Sequence, residues 1–226
     1  MWYTSAMERV DDLQFQGLRL LQDDALPCFT EDAVHLVHFL RLGSRDRAID
    51  IGCGTGVIAV LGAAYTGAAF TGIDVQAPLI DLAARSAAMN GQDIRFETLD
   101  VREAPARFGH GSFTAVVLNP PYYPADAGAP RDARAVSRHA DADLTGAMLR
   151  AAFLLLKNGG RLFLCYPCAG LAEILCRLRE TRLMPKRMRL VAGSAEAAPY
   201  LALIEAKKDA KPGLLMEPIL FLHEKT

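Results

Sequence analysis

No apolar run in this chain is long enough to cross a membrane. A span needs about 18 consecutive apolar residues, and the longest candidate, Ala151 to Leu156, is closed off by Arg150 and Lys157. The amino-terminal stretch turns to Glu8 and Asp11 instead of pairing a basic segment with an apolar one, so no secretory leader and a cytoplasmic location are expected. Cysteine is sparse: five residues, at 28, 53, 165, 168 and 176, form no even disulfide framework. Cys165-Tyr166-Pro167-Cys168 has the CxxC spacing but lacks the second ligand pair of a zinc site. His35 and His38 share a helix face without a Glu or Cys to complete a ligand set. Both groups read as packing, and no metal is expected. Net charge is lacking too. With 25 Lys and Arg against 26 Asp and Glu, the formal charge is -1, which argues against a strongly basic, non-specific nucleic-acid binder and leaves room only for a local basic patch.

What the chain does have is core material. Its 226 residues are 51% hydrophobic and 23% charged, enough for one full domain. A single domain over 1–226 is expected, with an amino-terminal extension at 1–45, a core at 46–206 and a carboxyl-terminal extension at 207–226. Leu13 to Gln22 alternates around Gly17 and predicts a short hairpin. Thr30 offers a helix N-cap, with Glu31 and Asp32 in the first turn and Gly43 beyond an end near Leu42.

From Arg47 short apolar strands alternate with longer amphipathic helices, the pattern of a parallel sheet covered on both faces. Strands are predicted at Ala48–Ile51, Ala69–Ile73, Ile94–Thr98, Phe113–Leu118, Arg161–Tyr166, Lys186–Val191 and Tyr200–Glu205. The fold class is therefore α/β, a Rossmann-like doubly wound, mostly parallel seven-stranded sheet. Helices are predicted at Val57–Tyr65, from Pro78 to Asn90-Gly91, at Leu144–Leu156 ahead of Asn158-Gly159-Gly160, and at Ala169–Thr181. A turn at Lys211-Pro212-Gly213 predicts a hairpin in the tail. Between Tyr123 and Asp143 runs a polar segment too long for an ordinary connection.

Asp50-Ile51-Gly52-Cys53-Gly54-Thr55-Gly56 lies where the first core strand meets its helix. Glycines there let the backbone turn sharply and approach a ligand, beside a helix N-terminus that favours negative charge. A dinucleotide fingerprint requires starting at Gly54, too far beyond the strand. The alternative register from Gly52 reads G-x-G-x-G behind an acid. Asp74, beside Val75, ends the second strand where a carboxylate can accept two ribose hydroxyls; Asp100, beside Val101, follows the third and can accept from an adenine amino group. After the fourth strand comes Asn119-Pro120-Pro121-Tyr122. Its prolines remove both their backbone donors and restrict Asn119, leaving acceptors and an aromatic face suited to a flat ligand bearing an amino group.

Taken together, the glycine loop, the two acids and Asn119-Pro120-Pro121-Tyr122 resemble the amino-directed class I S-adenosylmethionine-dependent methyltransferases. Asp11-Asp12-Leu13, Gln22, Phe29 with Asp32-Ala33, Gln76, Arg138-His139 and Lys208-Asp209-Ala210-Lys211-Pro212-Gly213 extend the resemblance to the bacterial tRNA-valine adenine-N6 methyltransferases. Ala140 departs from that pattern, where relatives often have Glu. The resemblance implies S-adenosylmethionine as cofactor, held by residues 50–56, 74, 75, 100 and 101. It also implies tRNA as partner and methylation of the adenine N6 beside the anticodon. Asn119 and Pro120 would accept the two amine N–H bonds, Pro121 would stiffen the loop, and Tyr122 would stack on the base. Arg131, Arg134, Arg138, Lys186, Arg187 and Arg189 are the candidates for the RNA surface. Glutamine methylation on a protein, or amino methylation of ribosomal RNA or DNA, uses the same clamp and stays open. From other classes, a nicotinamide-dependent oxidoreductase or a catalytically silent RNA-binding protein remains to be distinguished.

Overall fold

The computed structural model describes residues 8–120 and 144–223. Strands β1 (Glu8–Asp12) and β2 (Arg19–Asp23) form an antiparallel hairpin, pairing Glu8 with Asp23 and Asp12 with Arg19. It is wider than the alternating pattern predicts. The Asp12 carboxylate accepts the Gln14 N–H at 2.7 Å and ends β1, while Leu13 and Phe15 leave the ladder to pack on the core. Burial of those side chains outweighs strand continuation at the turn.

Helix α1 (Glu31–Phe39) stops short of Leu42. Thr30 holds the N-cap position without a side-chain cap bond. At the other end Arg187 donates to the Phe39 carbonyl at 2.6 Å and Arg161 donates to that of Arg41. Arginines distant in sequence thus take carbonyls that a longer helix would use internally.

The core runs through β3 (Arg47–Ile51), α2 (Val57–Thr66), β4 (Ala69–Asp74), α3 (Ala77–Met89), β5 (Arg95–Thr98), a short α4 (Ala104–Phe108) and β6 (Phe113–Leu118). After a helix over 144–155, α5, come β7 (Leu156–Pro167), α6 (Leu171–Glu180), β8 (Leu183–Ala192) and β9 (Leu201–Lys208). The tail adds β10 (Leu215–Met216) and β11 (Leu220–Phe221). The main sheet has nine strands in the order β10-β8-β9-β7-β6-β3-β4-β5, with β11 also on β8, and β9 is antiparallel to both neighbours. Seven strands were expected. The two additional ones come from the tail, which forms no hairpin: β10 and β11 both run parallel to β8, Leu215 opposite Arg187 and Leu220 opposite Val191. An extended tail whose Glu217 is drawn to Arg41, Arg187 and Arg189 has no reason to fold back.

Alternate residues of the central strands feed two cores. Ile49, Ile51, Val116, Leu118, Leu162 and Leu164 pack with α5 and α6; Ala48, Ala115, Val117, Phe163 and Cys165 pack with α1 and α2. Such double coverage explains why the strands read as continuous apolar runs. The hairpin is fastened to α3, where Ser86 Oγ accepts the Leu21 N–H at 2.9 Å and Asn90 bonds both the N–H and carbonyl of Arg19.

Candidate active site

The parallel strands β3, β4, β5 and β6 end on one side of the sheet, and the loops beyond them surround a cavity of about 770 Å³. That is the usual volume of a small-molecule site, roughly 300 to 1,000 Å³. Its wall takes in Ile51 to Thr55, Asp74, Val75, Asp100, Val101, Asn119 and Pro120, with Phe29, Asp32 and Met148 from elements outside the central strands. Nine of the expected cofactor residues are therefore gathered round one space.

Asp50 and Gly56, also expected to hold the cofactor, are not on that wall. Gly56 is the N-cap of α2 at φ 85°, and a Cβ there would stand 2.9 Å from the Ala83 Cβ and 3.0 Å from the Phe96 ring. It lets α2, α3 and β5 meet. Gly54, at φ 54°, has nothing within 4 Å of a Cβ position, so there the open backbone faces space. Asp74 fixes that loop: its Oδ2 accepts the Gly54 N–H at 3.0 Å and its Oδ1 accepts the Gln76 N–H at 2.9 Å. Each oxygen keeps acceptor capacity for a hydroxyl.

Asp50 is fully buried, and neither carboxylate oxygen has a hydrogen-bond partner among the described residues. Burial, and secondarily the Asp74 charge, push its pKa up to about 8. Burial, then Asp50 and Asp74, push the Cys53 thiol up as well. Asp100 accepts the Arg102 N–H at 2.8 Å and pairs with its guanidinium at 3.3 Å. Asn119, half-buried at the end of β6, has its Oδ1 3.0 Å from the buried Cys165 Sγ on β7.

The cavity suits S-adenosylmethionine. Among the described wall residues, Asp32, Asp74 and Asp100 face one cation, Arg102. Three carboxylates favour a ligand with sulfonium and ammonium charges over a pyrophosphate, which disfavours the nicotinamide reading. Asp74 and Asp100 bring carboxylate acceptors to the wall at successive strand ends, and Val75, 61% exposed, adds an apolar surface to it.

Arg187 is a correction to the expected substrate surface. Its side chain, 6% exposed, pairs with Glu205 at 2.7 Å and Glu217 at 3.1 Å, with its guanidinium carbon 3.6 Å from the Phe39 ring centre. It holds structure together and presents no base to a partner. Arg189 pairs with Glu217 at 2.8 Å, and Lys186 Nζ donates to the Lys211 carbonyl at 3.3 Å. Pro121, Tyr122, Arg131, Arg134 and Arg138 lie outside the described residues. Missed by sequence reasoning were Met148, whose burial on a helix looks like ordinary core, and the Cys165 contact, which joins residues 46 apart.

A doubly wound sheet with a glycine loop after β3 and acids after β4 and β5 defines the class I S-adenosylmethionine-dependent methyltransferase fold. The chain belongs to the methyltransferase domain family, whose model matches residues 42–210. It is 32% identical over 118 residues to a release factor glutamine methyltransferase from Deinococcus radiodurans, an alignment covering 50% of this chain and 41% of that protein. The chain thus spans less than half the length of that relative. It is 26% identical over 202 residues to a tRNA1(Val) (adenine(37)-N6)-methyltransferase from Parabacteroides distasonis, covering 88% of this chain and 85% of the relative. In fold it is similar to a predicted O-methyltransferase from Agrobacterium tumefaciens, with a TM-score of 0.69 and 22% identity over 85% of this chain and 88% of that one.

Proposed function

We propose that the chain transfers a methyl group to an exocyclic amino nitrogen, the N6 of an adenine in tRNA. The observation that carries this reading is the position of Asn119 and Pro120 on the same wall as the glycine loop, Asp74 and Asp100. S-adenosylmethionine supplies an electrophilic methyl group when bound. Asp74 and the loop would seat its ribose, and Asp100 its adenine. Asn119 Oδ1 and the Pro120 carbonyl, two acceptors on a stiff strand end, would take the two N–H bonds of the amine. Its lone pair, otherwise delocalised into the ring, then turns out of the base plane, and positive charge developing on nitrogen meets oxygen dipoles already in place. The N–C bond would form as the methyl carbon's bond to sulfur breaks. The methylated nitrogen, cationic and attached to the ring, would be acidic enough to release its surplus proton to water, so no strong general base is needed. Pro121 would keep this turn rigid, and Tyr122 would stack on the base.

Similarity over most of both chains to an adenine-N6 methyltransferase supports tRNA as the substrate class. A second reading, methylation of a protein glutamine amide, is favoured by the higher identity to release factor methyltransferases over about half this chain. Incubation with tRNA and, separately, with release factors distinguishes them: label from the methyl donor is expected in tRNA as N6-methyladenosine. Label confined to release factor overturns the tRNA reading. Asn119→Ala is expected to lower turnover on the order of a hundredfold or more while leaving cofactor affinity by calorimetry unchanged. Transfer at the wild-type rate removes Asn119 from the mechanism.

A further inference from the structure

We infer that Cys165 is a positioning residue for Asn119, its thiol donating to the amide oxygen and setting which way the carboxamide faces. This rests on the role proposed for Asn119. Cys165 lies on β7, beside β6, fully buried in the core shared with α1 and α2, with its Sγ 3.0 Å from Asn119 Oδ1. It is a free cysteine, and its CxxC spacing to Cys168 invites a metal or redox explanation. The geometry gives it another one.

A carboxamide carries an acceptor and a donor on one carbon, and only the oxygen can take an amine N–H. Burial, and secondarily Asp32 and Asp50, hold the thiol protonated. An S–H facing Oδ1 uses one of its two lone-pair directions and leaves the other for a substrate. Turning the amide over would leave the S–H without this acceptor and offer Nδ2–H only the sulfur, a weak acceptor, so the orientation with Oδ1 toward the thiol is favoured. Pro120 restricts the backbone of Asn119, and the thiol restricts its side chain, so the acceptor is aimed before the substrate arrives.

Two arms test this. With tRNA and the methyl donor, Cys165→Ala is expected to lower kcat by roughly tenfold, short of the hundredfold that an ångström of misplacement can cost. KM and cofactor affinity should stay near wild type. Cys165→Ser, which retains a donor, should restore most of kcat. Equal losses in the two variants that track equal losses in Tm, or wild-type kcat in Cys165→Ala, overturn the assignment. In the second arm, infrared difference spectra between wild type and Cys165→Ala isolate the S–H stretch. Asn119→Ala should move that band to the position of an unbonded thiol. An unmoved band overturns the assignment whatever the substrate. A wild-type chain that transfers no methyl to tRNA defeats the substrate reading alone, and the band then decides the thiol's role by itself.

Discussion

Asp50 shows how far a single side chain's setting can differ from its motif. It precedes the glycine loop as an acid should, yet it is fully buried, with neither oxygen partnered among the described residues and its pKa pushed up to about 8. The native state therefore holds the proton more tightly than the unfolded chain, whose carboxyl titrates near 3.8. Its contribution to stability is complete below that pH and is lost as pH rises through 8. The Tm of the ligand-free wild type should carry this decline, and Asp50→Asn, neutral throughout, should flatten it. Parallel melting curves of the two proteins from pH 4 to 9 would remove Asp50 as the titrating group. Asp74, a neighbour in space, is tied to two backbone N–H groups.

At the scale of elements, the tail is held by charge as much as by strand pairing. The Glu217 side chain is 8% exposed and accepts from Arg41, Arg187 and Arg189, while Arg187 also pairs with Glu205 and closes α1. Burial by itself would raise the Glu217 pKa, but the arginines outweigh it and hold the group below the usual carboxylate range. Removing the central cation leaves two poorly solvated carboxylates and an open helix end. Arg187→Ala is expected to lower unfolding free energy by about 3 kcal/mol, measured by urea denaturation, with Lys186→Ala within about 0.5 kcal/mol of wild type. Equal effects from the two substitutions would contradict the buried network. The basic pattern Lys186-Arg187-Met188-Arg189 suggested an RNA surface because sequence shows charge but not its partners; Glu205 and Glu217 are 18 and 30 residues from Arg187.

At the scale of the whole molecule, the described residues frame a cavity with walls from the segment ahead of α1, the ends of β3 to β6, and α5. A ligand bound there ties together segments that unfold apart. At a hundredfold excess over Kd, S-adenosylmethionine should stabilise the chain by about 2.7 kcal/mol, raising Tm by roughly 5 to 10 °C for a domain of this size. Asp74→Ala should lose most of that rise at the same concentration, with calorimetry reporting the weaker Kd. A full shift in the variant would exclude Asp74 from the cofactor's contacts. The hairpin serves the same frame: Gln22, buried within it, accepts the Phe29 N–H at 3.0 Å and bonds Asp11, so β1 and β2 support a residue of the cavity wall.

Features that depend on neighbours along the chain are written in local sequence. Apolar runs and their spacing marked the core strands and the larger helices, and a glycine, an acid or an asparagine directly after a strand was placed at the sheet's ligand-binding edge by the parallel topology. Such signals are local, so the positions of Asp74, Asp100 and Asn119 at that edge were legible. Tertiary structure decided what depends on contacts across the chain. It ended α1 with arginines from β7 and β8, laid the tail along β8 as two more strands, and buried Arg187 among carboxylates. It also set the Cys165 thiol against the Asn119 amide. Each of these outcomes turns on which groups compete for one hydrogen bond or one charge, and that competition exists only once the folded chain brings the competitors together.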